Sequence, residues 1–177
     1  MDWIPTTATA KGRLVLAALE AFGRRGYDGV AVADLARAAD TTTGPLYHHF
    51  ESKLGLYALV RADVERRVVD RMEGALAARP DPADDPVGTA LLVAFDYVTR
   101  AGFARMLSEP HPGGLSDPVA ALLGERLDGS ATPLGEMLAA AWRAALAAVA
   151  AGTPSEVARG ALRTLRVTAA PTPRSME

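Results

Sequence analysis

Cysteine is absent from the 177 residues, which excludes disulfides and any thiolate metal site. A surplus of either charge is missing too: 19 Lys and Arg stand against 21 Asp and Glu, a formal net charge of −2. That disfavours a general nucleic-acid coat protein, which works through excess cations. It leaves room for a sequence-specific binder, because a few placed cations and helix N-termini can hold phosphates. No apolar run spans a bilayer's width without a charge, and the opening MDWIPTTATAKGR lacks the cationic-then-apolar pattern of an export signal. The expectation is a soluble, cytoplasmic protein. No strand-like alternation and no internal repeat is found.

What is present is alanine-rich and apolar: 49% of the residues are hydrophobic, enough to bury a real core. Few β-branched clusters interrupt these runs, so an all-α fold is expected. A first helix is read from about Ala10 to Arg25, with Leu14, Val15, Ala18, Leu19 and Phe22 on one face and Arg24-Arg25-Gly26 as its stop. A second covers about Val32 to Ala39. Asp40-Thr41-Thr42 forms a turn, and a third helix runs from about Thr43 to Phe50, with Pro45 tolerated in its first turn. Leu46 and Phe50 fall four apart and anchor it. Ser52 caps a long fourth helix reaching about Ala78, with the stripe Leu56, Tyr57, Val60, Val64, Val68, Met72 and Leu76.

The loop ARPDPADDP, residues 78 to 86, marks the coarse domain boundary. Helices are then expected at about 87–100, 102–108, 119–127, 133–151 and 155–167, with a disordered tail over 169–177.

Two short helices around a tight turn, the second offering its first turns outward, are the layout of a helix-turn-helix. Its reading surface would be Thr42, Thr43, Gly44, Pro45, Tyr47 and His48, with Val32 at the start of the preceding helix. Threonine hydroxyls bond bases or phosphates, Thr and Pro carbons touch thymine methyls, and Gly44 lets the backbone come close. The Tyr47 hydroxyl suits a phosphate oxygen, and His49 either does likewise or packs against the entry to the fourth helix. Lys53, at a helix start, adds its ammonium to exposed amides. A Tyr-His-His metal site is disfavoured: neighbouring helix positions point about 100° apart, and no third ligand is near. Arg24 and Arg25 read as a solvated helix end, while Lys11 and Arg13 stand open between that and a phosphate contact.

The segments AALEAFGRRGYDGVAV, DLARAAD and TTTGPLYHHFESKLGLYALV resemble the N-terminal domain of the TetR family of one-component regulators. The resemblance covers roughly Lys11 to Val60. It implies phosphate contacts at Tyr47 and Lys53, and base contacts at Thr42, Thr43 and His48. Two positions depart from the family pattern. Ala31 stands where relatives cap the second helix with Ser or Thr, and Asp40 stands where they place Gly in the turn. The first loses a bond worth about 1 kcal/mol, and the second adopts a left-handed conformation at some cost.

The resemblance further implies a DNA-binding domain over 8–68, with its motif at about 31–50, and a helical effector-binding and dimerisation domain over 69–168. Dimerisation would use the last two helices, through Ala139, Ala140, Ala144, Ala147, Ala148, Ala151, Ala158, Ala161, Leu162 and Leu165. The implied function is a homodimeric repressor, released from a palindromic DNA operator by a small, mainly apolar effector. Candidate effector contacts are Val64, Met72, Leu91, Leu92, Phe95, Phe103, Met106, Leu107, Met137 and Trp142, with His111, Glu109 and Arg100 as polar additions. Apolar residues at helical spacing are first of all core, and that reading stands beside the pocket for each. The effector would act by shifting the fourth helix. No cofactor, metal or membrane partner is implied.

Two other classes stay open. An all-α enzyme lacks support, since no nucleophile–base spacing, metal cluster or phosphate loop is found. A dimeric adaptor without DNA binding would have no use for an exposed Thr-Thr-Gly-Pro-Leu-Tyr-His-His surface.

Overall fold

The structure, a computed structural model, describes residues 7–78, 85–110, 117–127 and 133–165. Residues 1–6, most of the ARPDPADDP loop, His111 and the expected 169–177 tail lie outside these. The described residues form helices α1 (Ala10–Arg25), α2 (Val32–Ala38), α3 (Thr43–Phe50), α4 (Lys53–Ala77), α5 (Pro86–Arg100), α6 (Ala104–Ser108), α7 (Pro118–Arg126), α8 (Leu134–Ala150) and α9 (Ser155–Thr164), without a strand. The all-α expectation holds, and the helix ends fall within a few residues of those read from the sequence.

Local chemistry explains four of the nine described starts. Thr9, Ser52, Asp85 and Asp117 each accept an amide hydrogen bond at the head of α1, α4, α5 and α7. Pro86 and Pro118 open α5 and α7, where the missing N–H costs nothing. α2 starts at Ala31 with no side-chain cap, as its sequence requires.

Helices α1, α2 and α3 and the first half of α4 form a head around Leu14, Ala18, Phe22, Leu35, Leu46, Phe50, Leu56 and Val60. The second half of α4 packs along α5, and α8 packs on α6, α7 and α9, making an all-helical body. Its core holds Val64, Val68, Met72, Leu91, Phe95, Val98, Met106, Leu107, Leu123, Trp142 and Leu146, and is continuous with that of the head. Each such side chain contributes roughly 1.5–3 kcal/mol on burial.

Head and body meet twice. The continuous α4 runs through both, and α6 lies against the C-terminal half of α1. Gly23 makes the second contact possible: a Cβ there would sit 2.7 Å from the Gly102 carbonyl oxygen and 3.1 Å from the Phe103 ring.

Candidate nucleic-acid interface

α3 is fixed from one side only. Leu46 and Phe50 are buried in the head core, while Thr42, Thr43, Gly44, Tyr47, His48 and His49 are exposed and Pro45 is half-buried. A buried pair four residues apart sets the helix's rotation, so the opposite face must point to solvent. Tyr47, a large aromatic residue, is 52% exposed. The Thr42 hydroxyl makes no capping bond to the helix it precedes. A Cβ on Gly44 would meet nothing nearer than the Thr42 hydroxyl oxygen at 3.8 Å, so this glycine leaves open surface. Val32, the first residue of α2, is half-buried against the core and offers at most its edge.

The turns on either side of α3 both use non-glycine residues at positive φ: Asp40 at 48° and Glu51 at 65°. Asp40 adopts the left-handed conformation anticipated for it. Arg13, on α1, holds this turn: its Nε donates to the Ala39 carbonyl at 2.8 Å and its Nη2 to that of Asp40 at 3.4 Å. The sequence offered Arg13 as solvated or phosphate-binding, and the structure gives it this bracing task. Arg24 pairs with Glu20 and Arg25 with Asp34, both at 3.5 Å and well exposed.

Lys53 differs most from its expected place. Its Nζ donates to the carbonyls of Tyr27 at 2.9 Å and Val30 at 3.0 Å, and sits 3.9 Å from the centre of the Tyr27 ring. Two of the three ammonium hydrogens thus hold the α1–α2 loop, leaving one for a phosphate.

Behind the head lies a polar network that sequence reading missed. Arg61 and Glu65 are buried on α4, and Arg61 Nε donates to Glu65 Oε1 at 3.0 Å. Arg61 also donates to the carbonyls of Met106, Glu109 and Pro110 at 3.2, 3.0 and 3.0 Å, satisfying the C-terminal end of α6. From α8, Arg143 reaches the Leu107 carbonyl at 2.6 Å, Asp117 at 2.7 Å and Glu65 at 3.5 Å. The Glu109 carboxylate accepts the Tyr57 hydroxyl at 2.8 Å and the Tyr27 backbone N–H at 3.1 Å. Burial, then the bond to Glu109, raise the Tyr57 pKa and keep the phenol protonated. Burial alone would raise Asp117, but Arg143 and the amides of Val119 and Ala120 outweigh it and hold the carboxyl below its ordinary range. A signal was available for part of this: Tyr57, Arg61 and Glu65 recur at four-residue spacing beside the apolar stripe of α4.

The candidate effector residues divide. Val64, Met72, Leu91, Phe95, Met106 and Trp142 are buried in the body, and Phe103 is half-buried at the α1–α6 contact. Met137 is 62% exposed on α8, so it lines no interior space, and Arg100 is likewise on the surface. Glu109 faces Tyr27 and Tyr57 rather than an effector. One polar atom in this set stands out: the indole N–H of buried Trp142 has no hydrogen-bond partner among the described residues.

Of the small residues expected at a dimer contact, Ala139, Ala158 and Leu162 are buried within the chain's own packing. Ala140, Ala144, Ala147, Ala151 and Ala161 are exposed, joined by Met137, Val157 and Gly160. Among the described residues no group of three or more His, Asp or Glu is placed to hold a metal ion. No helix among them is long and apolar enough to cross a membrane.

A helix-turn-helix head on an all-helical body defines the class. Residues 14–60 match the profile described as "Bacterial regulatory proteins, tetR family", and this segment is similar to the N-terminal domain of such proteins. Two curated proteins are similar over about half of the chain. The HTH-type transcriptional regulator CymR of Pseudomonas putida is 32% identical over 94 residues, 53% of this chain and 46% of that protein. The HTH-type transcriptional activator FasR of Mycolicibacterium smegmatis is 32% identical over 90 residues, 50% of this chain and 40% of that protein. The match thus spans less than half the length of either. The fold extends further: a putative tetR family transcription regulator from Shewanella sp. PV-4 superposes with a TM-score of 0.60 over 88% of this chain and 93% of that one, at 20% identity.

Proposed function

We propose that this protein is a homodimeric, sequence-specific DNA-binding transcription regulator, a repressor released from a palindromic operator by a small, mainly apolar effector. The observation that carries the DNA reading is the outward face of α3, where Thr42, Thr43, Gly44, Tyr47 and His48 are exposed above the buried pair Leu46 and Phe50. A helix held this way fits the major groove with its first turns toward base edges. Such a regulator works in the cytoplasm, beside the DNA it reads.

The homodimer reading rests on the exposed apolar faces of α8 and α9, where Met137 is 62% and Val157 57% exposed among small residues. Small side chains let helices of two copies approach closely, and a two-fold dimer matches a palindrome with half-sites roughly 34 Å or a multiple apart. The effector reading rests on the buried set around Val64, Met72, Phe95 and Met106, and on the partnerless Trp142 N–H. That N–H favours an effector carrying a hydrogen-bond acceptor on an otherwise apolar body.

Selection of bound sequences from a random DNA pool, followed by affinity against salt, tests the proposal. A palindromic consensus with a steep negative log–log salt slope is the expected result. No enrichment from a folded dimer at low salt would overturn it and favour the adaptor. Reporter assays with the operator on either side of a promoter then decide repression against activation, the mode named for FasR.

A further inference from the structure

Two glycines on one side of α1's end let α6 come close. Gly23 faces Gly102 and Phe103, and three residues later Gly26, at φ 70°, faces Arg105 and Glu109. Any Cβ on Gly26 would overlap the Glu109 carboxylate. Into that gap the carboxylate enters and accepts the Tyr27 N–H with both oxygens at 3.1 Å. The Tyr27 carbonyl accepts from Lys53, and the Tyr27 ring packs edge-on to Tyr57 at 5.0 Å. The residue leading into α2 is therefore held on its amide by the body and on its carbonyl by α4. Glu109 itself is gripped from behind, its backbone carbonyl on Arg61 and its carboxylate on the Tyr57 hydroxyl.

We propose that Glu109 is the positioning residue that sets the head's orientation on the body, through the Tyr27 amide in the space left by Gly26. This joins the end of α6 directly to the α1–α2 loop, beside the bonds that both make to α4. Motion of the α6 end, which Arg143 and Arg61 hold, transmits to α2 and α3 by tightening or releasing this carboxylate. Calling α2 and α3 a DNA-reading head rests on the proposed function; the mechanical joint does not.

Hydrogen–deuterium exchange on the full chain, without DNA, tests it in wild type, Glu109→Ala, Glu109→Gln and Gly26→Ala. A charge-assisted bond lost at Tyr27 predicts exchange about tenfold faster in Glu109→Ala across residues 26–50, with α5 and α8 unchanged. Glu109→Gln keeps the shape and one acceptor, so a smaller increase in the same segment is expected, and it carries the test if the alanine variant does not fold. Gly26→Ala, which displaces the carboxylate from the other side, gives the same regional pattern. Unchanged exchange over 26–50 in the folded variants overturns the proposal. So does a uniform rise that includes α8, because it marks Glu109 as general stability only. A failed DNA selection beside a regional exchange response would sink the regulator reading and leave the joint standing.

Discussion

Arg61 and Glu65 form an ion pair of 3.0 Å one turn apart on α4, with both side chains almost wholly removed from water. Two buried charges gain less from each other than they lose in hydration unless their other valences are filled. Here they are filled: Arg61 spends its remaining donors on three carbonyls at the end of α6 and on the Tyr57 hydroxyl, and Glu65 also meets Arg143. The pair thus mends the backbone of a five-residue helix that would otherwise end with orphaned carbonyls.

Glu65→Ala leaves Arg61 buried without its partner. The expected loss is about 3–5 kcal/mol, read as a lower denaturant midpoint with an unchanged slope. A loss below about 1 kcal/mol would mean that the Tyr57 hydroxyl and the three carbonyls suffice for Arg61.

Asp40 and Glu51 bracket α3 in a backbone region that side chains rarely adopt. Glycine there removes strain of about 1–2 kcal/mol and gives back about 0.5–1 in chain entropy. Asp40→Gly is expected to raise the thermal midpoint by a few degrees. A lower midpoint would show that the Asp40 side chain makes a compensating bond.

How much of this was legible beforehand depends on sequence distance. α1 to α4 were readable because their signals are local: Gly26 after two arginines, Pro45 in a first turn, Ser52 before an apolar stripe. The face of α3 was readable because Leu46 and Phe50 settle its rotation. The Glu109–Tyr27 joint spans 82 residues and has no periodic or capping signature. The loop-bracing bonds of Lys53 were missed for a related reason. Its helix-start position suggests a phosphate, whereas the competing carbonyls lie more than twenty residues upstream in a loop whose path the sequence does not trace. Met137 sat on a plausible apolar face of α8, but that face turns outward.

Thr43→Ala and Lys53→Ala separate base reading from scaffold and phosphate. Thr43→Ala should cost about 1–3 kcal/mol on the selected operator and leave non-specific binding and melting unchanged. Lys53→Ala should weaken binding to every sequence, flatten the salt slope by about one, and lower the thermal midpoint because the α1–α2 loop loses two bonds. A flattened slope without a melting change would place Lys53 on phosphate alone. A melting change with the slope intact would make it purely a loop brace.

Asp117 gives the body an acid-sensitive clasp. Its folded pKa lies below the ordinary 3.8, so the ionised form is the one stabilised by folding. The stabilisation is complete above that ordinary value and is lost as pH falls through the folded pKa. Denaturation series between pH 6 and pH 2 should therefore show a decline, beginning near pH 4, that Asp117→Asn flattens. Parallel curves for the two proteins would refute the assignment.

The eight residues of α3 are too few to hold a helix in water, where isolated helices below roughly 12–15 residues are marginal. Their shape is borrowed from the sockets that receive Leu46 and Phe50. A peptide of this segment would carry every group of the reading surface and present none of them in register. What can be transplanted to another protein is therefore the socket together with the helix, a unit no smaller than α1 through the first turns of α4.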